Sequence, residues 1–384
     1  MQVPDLMKSD EFYLALAFKL ARRGKLTTAP NPNVGCVIIR DHRVVGEGYH
    51  VRAGEPHAEI HALRMAGAMA YGATAYITLE PCNHYGHTPP CTEALIAAGI
   101  SRVVAAMLDP NPKVNGRGLY RLQQANIEVR HSIMLQDAEM INKGFLKRMR
   151  TGLPWIRVKL ATSLDGRTAM ASGESSWITS NQARQDVQRF RAESDAILST
   201  SATVLADNPT LNVRWLSLPA DIQCLCKEEN IRQPIKVIID SANRVNPFHR
   251  IIKSNGTTWL ARIQPDDKIW PRWVEQIQLP VLSRQDILRI DLMALMILLG
   301  KRHINSVWVE AGANLAGSLL LAGLVDELIL YMSPKLLGDK ARPLCLLPGL
   351  ERLSDALNCK LLNIRQVGPD IRICLKLIYS LSGS

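Results

Sequence analysis

The chain has 384 residues, of which 47% are hydrophobic and 21% charged. This is a globular composition with room for two domains of ~150 residues each. The net charge of +11 suits anionic partners, while the longest apolar runs, such as LMALMILLG at 292–300, fall far short of the ~20 residues of a membrane helix and exclude one.

Residues 10–24 carry apolar side chains at helical spacing, with an acidic start and a glycine stop, and predict a helix. NPNVGCVIIR and RVVGEGYH predict two strands around a turn at Asp41 and His42. The next helix opens near Pro56 and closes at Gly72. A strand over 73–80, a helix over 92–99 and a strand over 101–108 follow, so the first domain is expected to be a compact α/β layer structure. NKGFLKRMRTGLPW, at 142–155, reads as a boundary, dividing the chain into domains 1–150 and 151–384. Beyond it the alternation restarts: a strand WIRVKLATS, a helix from Asn181, a strand DAILST, then strands at 235–240, 306–311, 327–336 and 371–378. The polar segment 216–233 reads as a surface insertion. No charged-then-apolar leader opens the chain, so the expected location is the cytosol, and the eight cysteines are expected to be thiols.

Three of those thiol and imidazole positions ask for a separate account. His57-Ala58-Glu59 lies at a helix start, and Pro81-Cys82 and Cys91 lie at a strand end and the next helix start. Taken singly, each is an ordinary surface or core residue. Together, one imidazole and two thiolates make a zinc donor set that leaves a fourth position for water, whose pKa the metal lowers. Thiolate is favoured at a helix N-terminus, which suits Cys91. Glu59 is too close to His57 in sequence to share its ligand role, and it is expected to carry protons between the water and a departing amine. H-x-E with P-C…C is the arrangement of nucleobase deaminases. His57 and His61 are four apart, as in H-E-x-x-H zinc proteases, but the glutamate is at the third position and the cysteines would be left unexplained.

TAPNPNVGCVI, GEPHAEIHAL and TLEPCNHYGHTPPC resemble the deaminase half of the bacterial bifunctional riboflavin-biosynthesis deaminase/reductases. The eight residues between Cys82 and Cys91 also look like that family, because tRNA adenosine deaminases typically close the same loop with two. The resemblance implies a cytidine-deaminase-like three-layer α/β domain, with zinc on His57, Cys82 and Cys91 and a phosphoribosylated diaminopyrimidinone as substrate. Asn31, Asn83, His84 and His87 are then expected at the pyrimidine and ribose phosphate, with Pro89 and Pro90 stiffening the return to Cys91. The position of His87 is commonly Lys or Arg in the family, so a phosphate contact there would depend on pH.

No G-x-G-x-x-G follows a strand directly. VEAGANLAGSLL, at 309–320, places Gly312 and Gly317 between a strand and a helix, where backbone can approach a phosphate. Together with VKLATSLDGRTA, SGESSWITS, STSATVLADNPTLNVR and VIIDS, this stretch resembles the reductase half of the same family, which is dihydrofolate-reductase-like and uses NADPH. The resemblance implies cofactor contacts at Ala161, Trp177, Thr203, Asp207, Ser241 and the run Gly312, Ala313, Asn314, Leu315, Ala316, Gly317 and Ser318. It implies substrate contacts at Ser175, Arg191, Leu211, Arg214 and Glu310. Lys159, on the strand leading into the site, is a further candidate. Forked donors suit Arg191 and Arg214 to phosphate, and Glu310 suits ribose hydroxyls or ring amines. The resemblance also implies a homodimer or homotetramer. Against it stands an RNA-editing deaminase with a basic nucleic-acid-binding domain, a reading weakened by the absence of an aromatic stacking platform.

Overall fold

The computed structural model describes residues 9–85, 89–225, 227–284 and 287–379. It divides into two compact units, residues 1–152 with 225–231, and residues 153–224 with 232–384.

In the first unit the elements run α1 (Asp10–Ala21), β1 (Gly35–Arg40), β2 (Arg43–Tyr49), α2 (Ala58–Ala66), β3 (Thr74–Ile77), α3 (Cys91–Ala97), β4 (Arg102–Ala105), α4 (Arg117–Gln124), β5 (Glu128–His131), α5 (Leu135–Ile141) and α6 (Lys143–Thr151). The strands form a sheet in the order β2-β1-β3-β4-β5, antiparallel around β1 and parallel from β3 to β5. Strand alternation builds two cores from one sheet. Cys36, Ile38, Ala75, Ile77 and Val103 meet α2, α3 and α4 on one face. Val37, Ile39, Tyr76 and Val104 meet α1, α5 and α6 on the other. The result is the expected three-layer deaminase-like domain. The basic run KGFLKRMR forms α6, which buries Phe145 and Leu146 and stops at Gly152 in the left-handed region (φ 75°).

The second unit contains β6 (Trp155–Ser163), β7 (Arg167–Ala169), α7 (Asn181–Ala192), β8 (Ala196–Thr200), α8 (Ser201–Asp207), α9 (Ala220–Gln223), β9 (Ile235–Ile239), α10 (Arg250–Lys253), β10 (Thr258–Arg262), β11 (Val274–Gln278), β12 (Val281–Arg284) and β13 (Ile287–Ile290). It continues with α11 (Leu292–Lys301), β14 (Ser306–Glu310), α12 (Ala313–Leu321), β15 (Glu327–Ser333), β16 (Arg342–Pro343), β17 (Asn358–Val367) and β18 (Asp370–Ile378). Among the described residues nine strands form one sheet, ordered β11-β10-β9-β8-β14-β6-β15-β18-β17. It is parallel from β11 to β15 and is closed by the antiparallel β18 and β17. Val307 and Val309 of β14 face α11 and α12, and Trp308 faces α7, where Phe190 stacks flat on it at 4.8 Å between centroids. No helix among the described residues is long and apolar enough to cross a membrane.

In the first unit, two glycines set the position of α2. A Cβ on Gly48 would lie 2.2 Å from the Ala58 carbonyl oxygen, and one on Gly46 would lie 2.2 Å from that of Ala62. The helix backbone therefore rests directly on β2. Gly48→Ala should push α2 outward at a cost of about 1–3 kcal/mol. Hydrogen exchange should then show lower protection in β2 and α2 with the second unit unchanged, and equal protection throughout would contradict this account of the packing.

Candidate active sites

His57 caps α2 with an extended backbone (φ −74°, ψ 169°), and Cys91 is the first residue of α3. His57 Nδ1 lies 3.2 Å from Cys91 Sγ and 3.5 Å from Cys82 Sγ, and the three ligand atoms all lie within 4.8 Å of one another. Zinc bond lengths give a tetrahedral N–S edge of about 3.5 Å, so the donor set fits the ion. His61 stands outside this cluster among the described residues. The Cys91 backbone N–H donates to Cys82 Sγ at 3.3 Å. Hydrogen bonding with the Cys91 thiol, opposed by burial and assisted by His57, pulls Cys82 well below the usual thiol range, while the same contact pushes Cys91 up. The bond to Cys82 raises His57 against the effect of its burial.

Glu59 is only 3% exposed, and its Oε2 is buried without a hydrogen-bond partner. Burial pushes its carboxyl up to about 7. A group that titrates near neutrality, one oxygen unoccupied, is suited to proton transfer. His84 Nδ1 is likewise buried and unpartnered. Asn83 is fixed instead by the chain: its Oδ1 accepts from Thr92 Oγ1 at 2.9 Å. His87 lies outside the described residues. Sequence reasoning missed His50. Its ring stands edge-on to His57 at 5.2 Å, with Nδ1 3.3 Å from the Pro56 carbonyl and Nε2 3.0 Å from Asn31 Nδ2. Burial pulls His50 down to about 4, so it is neutral, donates through Nδ1 and accepts from Asn31. Asn31 is thereby oriented, with its carbonyl left as an acceptor. The contact spans nineteen residues, and no local pattern signals it.

In the second unit Ala161, Thr200, Ser241 and Glu310 lie near or just past the C-terminal ends of β6, β8, β9 and β14. Ligands bind at this edge of an open parallel sheet. Glu310 is opposite Lys159 in the register of β14 and β6. The forked donors of Arg191 are taken by the chain: Nε and Nη2 bind Glu310 at 2.6 and 2.8 Å, and Nη1 binds the Asn212 carbonyl at 3.0 Å. Trp308 Nε1 also donates to Glu310, at 2.8 Å. Against the cost of burial, Arg191 holds the Glu310 carboxyl down to about 2. Burial pulls the Lys159 ammonium down, opposed by Glu310. Arg191 and Glu310, both expected at the substrate, are thus bonded to each other in this structure. Arg214 is the exposed guanidinium, without a hydrogen-bonded or ionic partner among the described residues, and Arg191, Arg184 and Arg250 add positive charge around it.

Other expected contacts divide by burial. Thr203 is half-buried in α8, Asp207 is exposed at its end, and Ser175 is exposed in the loop before α7. Trp177 is 68% exposed, and the Arg184 guanidinium lies 4.4 Å from its ring centre. Leu211 is only 3% exposed, with its side chain in the core and its backbone in the left-handed region (φ 47°). In the run 312–318, Gly312, Ala313, Asn314 and Ser318 retain exposure, whereas Leu315, Ala316 and Gly317 are buried. Gly317 admits chain rather than phosphate, because a Cβ there would lie 1.8 Å from the Leu346 carbonyl oxygen. A Cβ on Gly312 would meet nothing within 4 Å, and no side chain caps α12. That open helix start fits a dinucleotide phosphate.

The fold and donor set define a nucleobase-type zinc deaminase domain joined to a doubly wound ligand-binding domain. Residues 7–107 match the cytidine and deoxycytidylate deaminase zinc-binding region, and residues 154–373 match the RibD C-terminal domain. The chain is 63% identical over 369 residues to riboflavin biosynthesis protein RibD of Escherichia coli, covering 96% of this chain and 99% of that one. The solved structure of Acinetobacter baumannii RibD superposes with a TM-score of 0.87 at 44% identity, covering 96% of this chain and 99% of that one. A diaminohydroxyphosphoribosylaminopyrimidine deaminase/5-amino-6-(5-phosphoribosylamino)uracil reductase from Thermotoga maritima follows, with a TM-score of 0.82, 30% identity and the same coverage of both chains. The chain belongs to the RibD family of riboflavin biosynthesis proteins.

The raised Glu59 carboxyl has a consequence for stability. Its contribution is present below the ordinary carboxylate pKa and is lost as pH rises through about 7. Metal-free Glu59→Gln should therefore melt higher than metal-free wild type at about pH 8, with the gap closing at about pH 4. A gap independent of pH would mean that Glu59 ionises without penalty.

Proposed function

We propose that this chain catalyses two consecutive steps of riboflavin biosynthesis: hydrolytic deamination of 2,5-diamino-6-(5-phosphoribosylamino)pyrimidin-4(3H)-one, then reduction of the ribosyl side chain to give 5-amino-6-(5-phosphoribitylamino)uracil. The observation that carries this reading is the pairing of the His57, Cys82 and Cys91 donor set and the unpartnered Glu59 oxygen with a RibD C-terminal domain in one chain. A second domain of that family leaves no support for the RNA-editing alternative.

His57, Cys82 and Cys91 hold the zinc ion, which when bound supplies the Lewis acidity that makes water nucleophilic near neutral pH. Glu59 Oε2 takes the proton of that water and delivers it to the amine that leaves as ammonia. Burial, which raises its pKa, suits a carboxyl that takes up a proton and gives it up again. Asn31, oriented by His50, and His84 bind the pyrimidine ring and its sugar. In the second domain Gly312, Ala313, Asn314 and Ser318, with Ala161, Trp177, Thr203, Asp207 and Ser241, bind NADPH, which supplies the hydride. Arg214 binds the substrate phosphate. Arg191 and Glu310 brace each other beside Lys159, whose ammonium faces the sugar with Ser175 and the Leu211 backbone.

Mass spectrometry of the product tests the reading. Without NADPH the product should be about one dalton heavier than the substrate, an oxygen having replaced an NH, and with NADPH it should carry two further hydrogens. Glu59→Gln should keep zinc and the reduction of supplied deaminated substrate while losing deamination. Arg214→Ala should raise KM for the phosphorylated substrate with NADPH affinity unchanged. Deamination at the wild-type rate in the Gln variant would overturn the role given to Glu59.

The chain is further proposed to act in the cytosol as a homo-oligomer, a dimer or tetramer. The ten-residue edge strand β17 supports self-association: Leu361, Leu362 and Ile364 are 52%, 43% and 57% exposed on it. Light scattering should give a multiple of the chain mass, and Leu361→Lys with Ile364→Lys should reduce it. A monomeric wild type would end this part of the proposal.

A further inference from the structure

Glu80 stands two residues before Cys82 and is not one of the donor set. It is 4% exposed, yet among the described residues no cation pairs with it. Its carboxylate is satisfied by four backbone N–H groups. Oε2 accepts from Asp109 at 3.1 Å and Gly116 at 2.9 Å, and Oε1 accepts from Gly118 at 2.9 Å and Leu119 at 3.3 Å. All four donors belong to one stretch, running from just beyond β4 into the first turn of α4. An isolated buried carboxylate is costly, and bonds of this charged kind are roughly twice as strong as neutral ones. The stretch is therefore held firmly against Glu80.

It also meets the ligand segment directly. A Cβ on Gly118 would lie 2.1 Å from the Pro81 carbonyl oxygen. Asn83 Nδ2 donates to the Arg117 carbonyl at 3.4 Å. From the other side, the Thr92 N–H donates to the Cys82 carbonyl at 3.2 Å and the Cys91 N–H to Cys82 Sγ at 3.3 Å. Residues 80–83 are thus gripped between the start of α4 and the start of α3.

We propose that Glu80 is a positioning residue of the deaminase centre, whose buried carboxylate ties residues 109–119 to Pro81-Cys82 and so holds the Cys82 thiolate at ligating distance. This rests on the zinc site proposed above. A carboxylate is required, because its two oxygens offer about four lone-pair sites to four donors. Glutamine offers one such oxygen and turns an NH2 group toward two backbone N–H groups.

Competition against a chromophoric chelator measures zinc affinity, and Co2+ substitution reports the thiolate-to-metal absorption band. Glu80→Gln should bind zinc about 10–100-fold more weakly than wild type and change that band. Reduction of supplied deaminated substrate should be unchanged. Glu80→Asp keeps the charge on a shorter stem and should lose less affinity than the Gln variant. A purely structural role would lower the melting temperature and leave affinity and band at wild-type values, which would overturn the inference. So would a soluble Asp variant with wild-type affinity and band beside a Gln variant that does not fold. A wild-type chain that takes up no zinc would instead refute the site itself, and the inference with it.

Discussion

Gly46 and Gly48 let the α2 backbone lie on β2 without intervening side chains, and Ala58, Ala62 and Ala66 carry the small side chains of the opposing face. That contact fixes the height of the first turn of α2 above the sheet. His57 and Glu59 both belong to that turn, so the imidazole and the buried carboxyl are placed by one packing event. The cysteines arrive independently, one after β3 and one at the start of α3. Three chain segments must therefore agree to within a fraction of an ångström. Close-packed interiors tolerate little displacement, which makes small residues the tightest available control.

In the second unit the same demand is met electrostatically. Arg191 on α7 and Glu310 on β14 form a forked pair in a buried setting, with side chains 11% and 15% exposed. Two charges taken out of water regain the desolvation cost only with good geometry and further hydrogen bonds. Trp308 and the Asn212 carbonyl supply those bonds. The flat stack of Phe190 on Trp308 sets the neighbouring turn of α7 over β14. The pair is thus braced on both sides, and it presents a neutral combination beside Lys159 while leaving Arg214 as the open positive charge.

What the sequence revealed differs between the two sites for a physical reason. Zinc ligation uses few residue types, at positions dictated by helix starts, so the grouping of His57, Cys82 and Cys91 was legible from spacing. Four of the five strands of the first sheet and six of the nine of the second were legible from apolar alternation, whereas strands β5, β10, β11 and β17 and helices α4, α5 and α6, short stretches among polar residues and a basic run, were not. Side-chain partners were the least legible. Nothing local says that Arg191 turns to Glu310, 119 residues away, or that His50 orients Asn31. Gly317 shows the same limit. A glycine at a helix start suggests room for phosphate, yet here the room is filled by the backbone of residue 346.

The long loop between Cys82 and Cys91 gains a mechanical meaning from these contacts. A two-residue gap would let the cysteines fix each other through local turn geometry. With eight residues between them the loop entropy is larger, and each cysteine has to be placed by its own surroundings. Cys91 is placed by α3. Cys82 has no helix of its own, and its neighbours Pro81 and Asn83 are instead held by Gly118, Arg117 and Thr92. The four backbone N–H groups on Glu80 and the contacts of Pro81 and Asn83 are what hold this first end of the loop.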